Sequence, residues 1–538
     1  MFLKKHLNIF ILLIIFLIVE SIINPVGEFC LNDDWAYAAS VKTLLSKGVF
    51  EIGSWPAMTL YAHVLWGFVF VKLFGFSFTV LRFSILVLSF VTLCITERLF
   101  FQMTKNKIYS LFIALLLLFN PLFLSLSNSY MTDISFLCFF TISIYSFYLF
   151  CITEQFKYLI IGFSISLVTI FIRQLGIVIP LGFLFLTFFM SFYEQKWRKT
   201  MVISSLFFVA ILAVLFLFEK HVAISLDNTA AFQGLFFSKR HLDFNFINIL
   251  EKLYVRLGLM MLYAGLALFP ILIPNSVDIW LKFKEASIAS KITAFIFLVL
   301  MVLVFHYYPC GNYLYNCGLG LETTIDVMDL DKNREHTYFD ILFLLIKCIS
   351  VLGNILLMMT LFNFPKSINS FKTFLSQNTF LVFCVFTAFL YQILITASAS
   401  FFDRYSLCFF ILCLIIISIK NEYVHRFSKA TIIILMFYAA FSILSIKDYF
   451  NYNKAKTELI NNLAITKNVI PKNINGGFEY NMWHLYTTSS TCNWEDKYKE
   501  YVLSFSKIEG YSDINHYSYQ RYIPYKIDTI FVLKKNVQ

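Results

Sequence analysis

The chain has 538 residues, 59% of them hydrophobic and only 14% charged, with a mean hydropathy of +0.74. Soluble domains run at about half apolar and a quarter charged, so this chain lacks the polar surface to cover itself in water. With 65 Phe against 18 Gly and 10 Pro it is neither disordered nor collagen-like, its apolar runs are too long for barrel strands, and 11 Cys are too sparse for a disulfide scaffold.

What remains is an all-α polytopic membrane protein, whose net charge of +11 is read first as a topology signal. Behind Lys4 and Lys5, residues 7–23 read as an uncleaved first span with its N-terminus in the cytoplasm. Pro25-Val26-Gly27-Glu28-Phe29 offers no small-residue cleavage site, and Glu-Phe before Cys30 does not suit a lipoprotein signal. Further runs of about 17 to 25 residues, long enough to cross, centre on 80–101, 107–126, 134–152, 157–173, 175–193, 200–219, 254–274, 290–308, 339–361, 379–398, 405–420 and 429–446, for about thirteen spans.

The stretch 57–74 is the ambiguous one, with only about fifteen apolar positions between Pro56 and Lys72. Parity decides it. If it lies flat at the interface, five short connections fall on the cytoplasmic side. They carry Arg98, Lys105, Lys107, Lys196, Arg198, Lys199, Lys282, Lys284, Lys291, Lys366, Lys372, Lys420, Arg426 and Lys429, the expected positive-inside bias. The segment is therefore expected to be a re-entrant or interfacial helix within a long outer loop, 24–79.

Residues 1–446 then form a transmembrane catalytic domain, N-in and C-out, and 447–538 a small extracytoplasmic α/β domain. In the latter, Tyr and Asn replace the Phe/Ile/Leu runs; 449–469 reads as an amphipathic helix, and 477–483, 501–505 and 528–533 as short strands.

Ionisable residues inside membrane segments are expensive and tend to be functional. Here most spans carry almost none at mid-depth, and the carboxylates and arginines gather at helix ends on the outer boundary. Asn32-Asp33-Asp34-Trp35-Ala36-Tyr37-Ala38 opens the first outer loop, and Tyr130-Met131-Thr132-Asp133 precedes a span. Arg173-Gln174 sits in a tight outer turn, and Phe402-Asp403-Arg404-Tyr405 starts another span. On that face no nucleotide sugar is at hand. A sugar esterified to a polyprenyl phosphate is an activated donor whose phosphate leaves unprotonated. The acceptor hydroxyl needs a base, which a carboxylate supplies, and arginines can hold the departing phosphate. One carboxylate with a basic phosphate clamp differs from the paired acid and base of a glycoside hydrolase, and direct displacement would invert the anomeric centre.

An acidic pair opening the first outer loop, followed by an interfacial helix, resembles the GT-C glycosyltransferases. More narrowly it resembles bacterial family 39 enzymes related to protein mannosyltransferases and to the lipid A aminoarabinose transferase. The motifs that carry this are Asn32-Asp33-Asp34-Trp35, Phe119-Asn120-Pro121-Leu122-Phe123, Tyr130-Met131-Thr132-Asp133, Ile172-Arg173-Gln174, Phe402-Asp403-Arg404-Tyr405 and Asn475-Gly476-Gly477-Phe478-Glu479-Tyr480-Asn481. The resemblance implies a GT-C fold, an undecaprenyl-phosphate donor in a bacterium, and Asp33 in the place of the family's essential Asp. Asp34 then stands where relatives often carry Glu, and Asp133 matches a second Asp in the next outer loop. One departure is plain. Aminoarabinose transferases place a phosphate-holding Lys just before the interfacial helix, where this chain has Ser54-Trp55-Pro56. The phosphate then falls to Arg404, Arg173 or Lys42.

The expected site is thus Asp33 as general base, Asp34 and Asp133 as orienting carboxylates, and Arg404, Arg173, Gln174, Tyr405, His63 and Tyr37 as substrate contacts. Each has a bland reading. Asp33 and Asp34 would cap a helix beginning at Trp35, Asp133 would cap the following span, and Arg173 would snorkel from a helix end. Asp403 and Arg404 would form a structural ion pair, His63 would pack, and Tyr37 would anchor at the interface. No His/Cys ligand cluster occurs, so no cofactor is expected and a divalent metal is not favoured. Cys310 and Cys317 suit a disulfide in an oxidising compartment; the run Asp326 to Asp331 reads as a solvated loop. Expected partners are a polyprenyl-phosphate sugar, a lipid, glycan or protein acceptor, and the bilayer of the cytoplasmic membrane, with no nucleic acid. The rival readings are a secondary transporter or lipid-linked glycan flippase, and a glycan polymerase or ligase using an oligosaccharyl lipid.

Overall fold

A computed structural model describes residues 2–53, 55–56, 58–218, 220, 246–309, 313–314, 337–362, 378–398, 400–420, 428–485 and 499–536. The Cys310 and Cys317 pair and the acidic run Asp326 to Asp331 lie outside them.

Every expected span has a helix. In chain order they are α1 (Phe2–Ile23), then two loop helices, α2 (Asp34–Lys47) and α3 (Tyr61–Phe74), and then α4 (Phe78–Thr104), α5 (Lys107–Leu118), α6 (Pro121–Ser127), α7 (Thr132–Thr153), α8 (Phe156–Ile170), α9 (Val178–Ser191) and α10 (Lys196–Phe218). They continue as α11 (Phe246–Leu272), α12 (Ser276–Lys284), α13 (Ile288–Val304), α14 (Thr337–Leu361), α15 (Thr379–Ala397), α16 (Ser406–Lys420) and α17 (Lys429–Lys467). Among the described residues nine helices are long and apolar enough to cross a membrane, or ten if α5 and α6 count as one span. The chain is a multi-pass helical membrane protein. Leucine, valine and phenylalanine cover much of the outside of the bundle, as with Phe74, Phe188, Leu206 and Phe437, which only a lipid environment tolerates on this scale.

Polar residues break the spans where the site is built. The expected span 107–126 bends by 67° between α5 and α6. There the Asn120 side chain accepts the Leu122 and Phe123 amides, and Pro121 restarts the helix at its first position. The segment expected to be interfacial holds helix α3, 14 residues long. That is about 21 Å, short of the roughly 30 Å hydrocarbon core. Its start is sewn to the end of α8: Thr59 Oγ1 donates to Ile170 O (2.6 Å), Leu60 N to Ile172 O (3.2 Å) and Ala62 N to Phe171 O (3.1 Å). Gly67 lets Tyr130 lie across α3, since a Cβ there would overlap the tyrosine ring, and the Tyr130 hydroxyl donates to His63 O at 3.0 Å. Gly265 on α11 and Gly353 on α14 play the same part where those helices cross backbone to backbone.

The C-terminal region departs from expectation in three places. The span at 429–446 and the amphipathic helix at 449–469 are one 39-residue helix, α17. Residues 477–483, expected as a strand, belong to a helix, α18 (Phe478–Leu485); the Asn481 side chain closes it onto the Gly476 amide and Asn475 Oδ1. The sheet holds β1 (Ile474–Asn475), β2 (Tyr501–Ser504), β3 (Tyr511–Tyr522) and β4 (Tyr525–Lys535) in the order β1-β2-β4-β3. Strands β2 and β4 match the expected 501–505 and 528–533, but β3 was not foreseen. It pairs antiparallel with β4 over its whole length, and its largely exposed pattern lacks the apolar alternation that announces a strand.

Candidate functional site

The first outer loop, the start of α7, the turn after α8 and the turn before α16 meet at one end of the bundle. Asp33 and Asp34, adjacent in sequence, have different jobs there. Asp33 sits at the N-cap of α2, yet its side chain makes no capping bond; its Oδ1 instead accepts the Trp55 indole N–H at 3.0 Å. It is half-buried. Burial raises its carboxyl above the ordinary range, against the lowering pull of the Arg404 charge and the Trp55 bond, while Glu479 and Asp133 push it further up. Asp34 is fully buried and braces two loops: Oδ1 accepts Leu31 N (2.7 Å) and Oδ2 accepts Tyr130 N (3.3 Å). Burial pushes it up to about 7 despite those bonds and the Arg82 charge.

Asp133 does not cap α7, whose N-cap is Met131. It pairs with two arginines, Arg173 Nη2 at 2.7 Å and Arg404 Nε at 3.8 Å, all three side chains being buried. The short contact lies off the hydrogen-bonding direction, so Asp133 Oδ2 and Arg173 Nη2 both lack a hydrogen-bond partner; it is a pure ion pair. Arg173 Nε donates to Thr132 Oγ1 at 2.8 Å, and its guanidinium lies 5.8 Å from the Tyr405 ring centre. Gln174 follows, half-buried, as the first residue of a short 3₁₀ turn.

Arg404 is the least satisfied group of the cluster. Its guanidinium rests 4.6 Å over Phe402 and 6.0 Å from the Tyr313 ring, with Nε and Nη1 buried and without hydrogen-bond partners among the described residues. Burial works against its charge, but the neighbouring Asp133 more than offsets this and keeps it protonated. Asp403 is not its ion-pair partner among the described residues. That carboxylate accepts three backbone amides, Tyr313 (2.9 Å), Leu314 (2.6 Å) and Arg404 (2.9 Å), and so pins a distant outer segment beside Arg404.

Tyr37 is buried, facing the His63 ring edge-on at 5.9 Å, within the field of Asp33, Arg404, Arg173 and Asp133. His63 is placed as a tie between helices: Nδ1 meets Ser135 Oγ at 2.8 Å and Nε2 meets Tyr130 O at 3.3 Å. Both ring nitrogens are engaged, and burial lowers the ring to about 3, leaving it neutral. Tyr405 is half-buried at the edge of the cluster, its carbonyl accepting the Tyr391 hydroxyl at 2.9 Å. Lys42 is exposed and lies over the Phe76 and Trp483 rings at 5.7 and 5.0 Å.

Three neighbours stand outside the expected set of site residues. Trp55 holds Asp33, and its only sequence signal was the departure from a lysine at that position. Tyr313 brings a buried hydroxyl with no hydrogen-bond partner beside Arg404, and nothing marked it among the other tyrosines of its loop. Glu479 on α18 accepts from Tyr449 Oη (3.3 Å) and pairs with Lys456 Nζ (3.6 Å) on α17. A narrow cleft of only about 10 Å³, room for about one water, is lined by Leu31, Asn32, Ser125, Ser129, Tyr313, Ile446, Tyr449 and Phe450. Among the described residues no group of three or more His, Cys, Asp or Glu side chains converges as a metal site.

No family model matches the chain, and no curated protein matches it significantly. Two solved structures are similar to it. ArnT from Cupriavidus metallidurans in the apo state shares 12% identity at a TM-score of 0.43, over 88% of this chain and 84% of that one. The same protein bound to undecaprenyl phosphate shares 11% at 0.41, over 87% and 81%.

Proposed function

We propose that the chain is an integral membrane glycosyltransferase of the GT-C type. It moves a single sugar from a polyprenyl phosphate, undecaprenyl phosphate in a bacterium, to an acceptor hydroxyl on the outer face of the cytoplasmic membrane. The observation that carries this is Arg404: a buried cation with two unsatisfied donor atoms, held beside Asp133 and acting on the half-buried Asp33. A guanidinium in that condition suits an anion with several acceptor oxygens.

In this mechanism Asp33 takes the proton of the acceptor hydroxyl while the acceptor oxygen attacks the anomeric carbon. The carbon–phosphate oxygen bond breaks with its electron pair on the phosphate, and Arg404 stabilises the charge released. The single displacement inverts the anomeric centre. A carboxyl raised by burial is a stronger base than one in water, which suits the role. Asp133, shared by Arg173 and Arg404, orients the phosphate clamp, and Asp34 braces the loop that carries the base. The outward direction rests on the positive-inside bias expected of the basic connections in the sequence.

Purified protein supplied with a panel of labelled polyprenyl-phosphate sugars tests the reading: one donor is expected to lose its label to an acceptor, and Asp33→Asn to stop the transfer. Undiminished transfer by Asp33→Asn would remove Asp33 from the mechanism. The bent α5–α6 pair favours the transporter reading, since broken helices line transport sites. Cysteine accessibility separates the two: reactivity at position 33 from one side only supports the enzyme, and alternating access supports transport.

A further inference from the structure

We infer that Trp55 is a positioning residue that fixes the rotamer of the base through its indole N–H, and that the C-terminal region supports it through Phe478. This rests on the glycosyltransferase reading for its functional meaning, though not for its test.

An Asp at a helix N-cap ordinarily turns its carboxylate onto the amides of the first turn. Asp33 occupies that position and makes no such bond. What it accepts instead is the Trp55 N–H, 3.0 Å away across the loop. Indole has one donor and no acceptor, so the bond has one polarity, and it favours the ionised carboxylate over the acid. Trp55, 40% exposed, makes tilted contacts with two rings, Trp35 of α2 at 5.6 Å and Phe478 of α18 at 5.9 Å. Such aromatic pairs contribute beyond their buried area. A carboxylate that is only half-buried has other rotamers open to it; a donor in contact with aromatic neighbours selects one. The charged groups acting on Asp33 are Arg404, Glu479 and Asp133, with the Tyr37 hydroxyl also within its field. None of these belongs to the element that carries Trp55.

The test replaces Trp55 in full-length protein in lipid nanodiscs, once by Trp55→Phe and once by benzothienylalanine, which keeps the shape of the indole and lacks only its N–H. The Asp33 carboxyl is followed by pH-titrated difference infrared spectroscopy, isolated by subtracting the Asp33→Asn protein. Its titration midpoint is expected to move to higher pH in both variants. With a competent donor, kcat should fall about tenfold while KM for the donor stays put. An unmoved midpoint in both proteins overturns the inference, even if kcat falls, because packing alone would then account for the loss. A wild-type protein that transfers no sugar would sink the glycosyltransferase reading and leave the infrared result for Trp55 standing.

Discussion

Two of the buried clusters of carboxylates and arginines among the described residues differ in their hydrogen bonding. In the C-terminal region Arg521, 1% exposed, donates Nη1 to Asp528 Oδ2 (3.1 Å) and Nη2 to Ile523 O (3.0 Å). Asp448 on α17 accepts the Tyr522 and Ile523 amides at 2.6 and 2.9 Å. That cluster fastens the β3–β4 hairpin to the long helix. At the membrane boundary Arg404 keeps two donor atoms unsatisfied, and Asp33 turns away from the helix end it could cap. Burial of charge is common to both, and in both the Nε atom only faces a carboxylate at about 4 Å, Asp133 for Arg404 (3.8 Å) and Asp448 for Arg521 (3.9 Å). The difference lies in the terminal nitrogens: both of those of Arg521 donate within the protein, whereas Nη1 of Arg404 has no hydrogen-bond partner among the described residues.

Substitutions should separate the two along that line. Asp33→Asn is expected to cut transfer about a thousandfold or more while leaving the thermal unfolding midpoint of nanodisc-embedded protein in place; a stability loss matching the activity loss would make Asp33 structural. Arg521→Ala should do the reverse. It removes the guanidinium but leaves Asp448 its two amides and Asp528 its Lys526 partner at 2.9 Å, and should cost about 1 to 3 kcal/mol, read as earlier proteolysis of the C-terminal region, with kcat of the intact fraction little changed.

Asp34 sharpens the contrast through pH. Its carboxyl rises from 3.8 unfolded to about 7 folded, so between those values the folded chain holds a proton that the unfolded chain has released. Stability therefore falls as pH climbs through that window, fully present below about pH 4 and lost above about pH 7. Thermal unfolding at pH 5 and pH 8 should show this slope in the wild type and lose most of it in Asp34→Asn; equal slopes would contradict the brace assigned to Asp34. The smallest effect is expected at the helix tie: Ser135→Ala, which removes the partner of His63 Nδ1, should cost about 1 kcal/mol and leave donor KM unchanged. A large rise in KM would return His63 to the substrate.

How much of this could be read from residues follows from what each signal measures. Hydropathy found a helix at every expected span, nine or ten of which are long and apolar enough to cross a membrane among the described residues, because a helix in lipid announces itself by composition. The shortness of the 57–74 stretch and the parity of basic loops marked α3 as distinct. Asp33, Asp133, Arg173 and Arg404 were legible as polar residues at the ends of apolar runs, but that Asp133 joins both arginines was not, since it depends on three turns far apart in sequence. Residues 477–483 alternate apolar and polar, which imitates a strand; the turn built by Asn475 and Asn481 makes them a helix. Trp55 and Tyr313 carry no charge and stand among many aromatics, so only the fold reveals what they touch.

In the proposed enzyme a lipid phosphate rests on Arg404 next to Asp33. Native mass spectrometry of the nanodisc-embedded protein with undecaprenyl phosphate tests it most directly. The wild type and Asp33→Asn should retain the lipid, and Arg404→Ala should bind it at least about tenfold more weakly. Equal retention by Arg404→Ala would contradict the account.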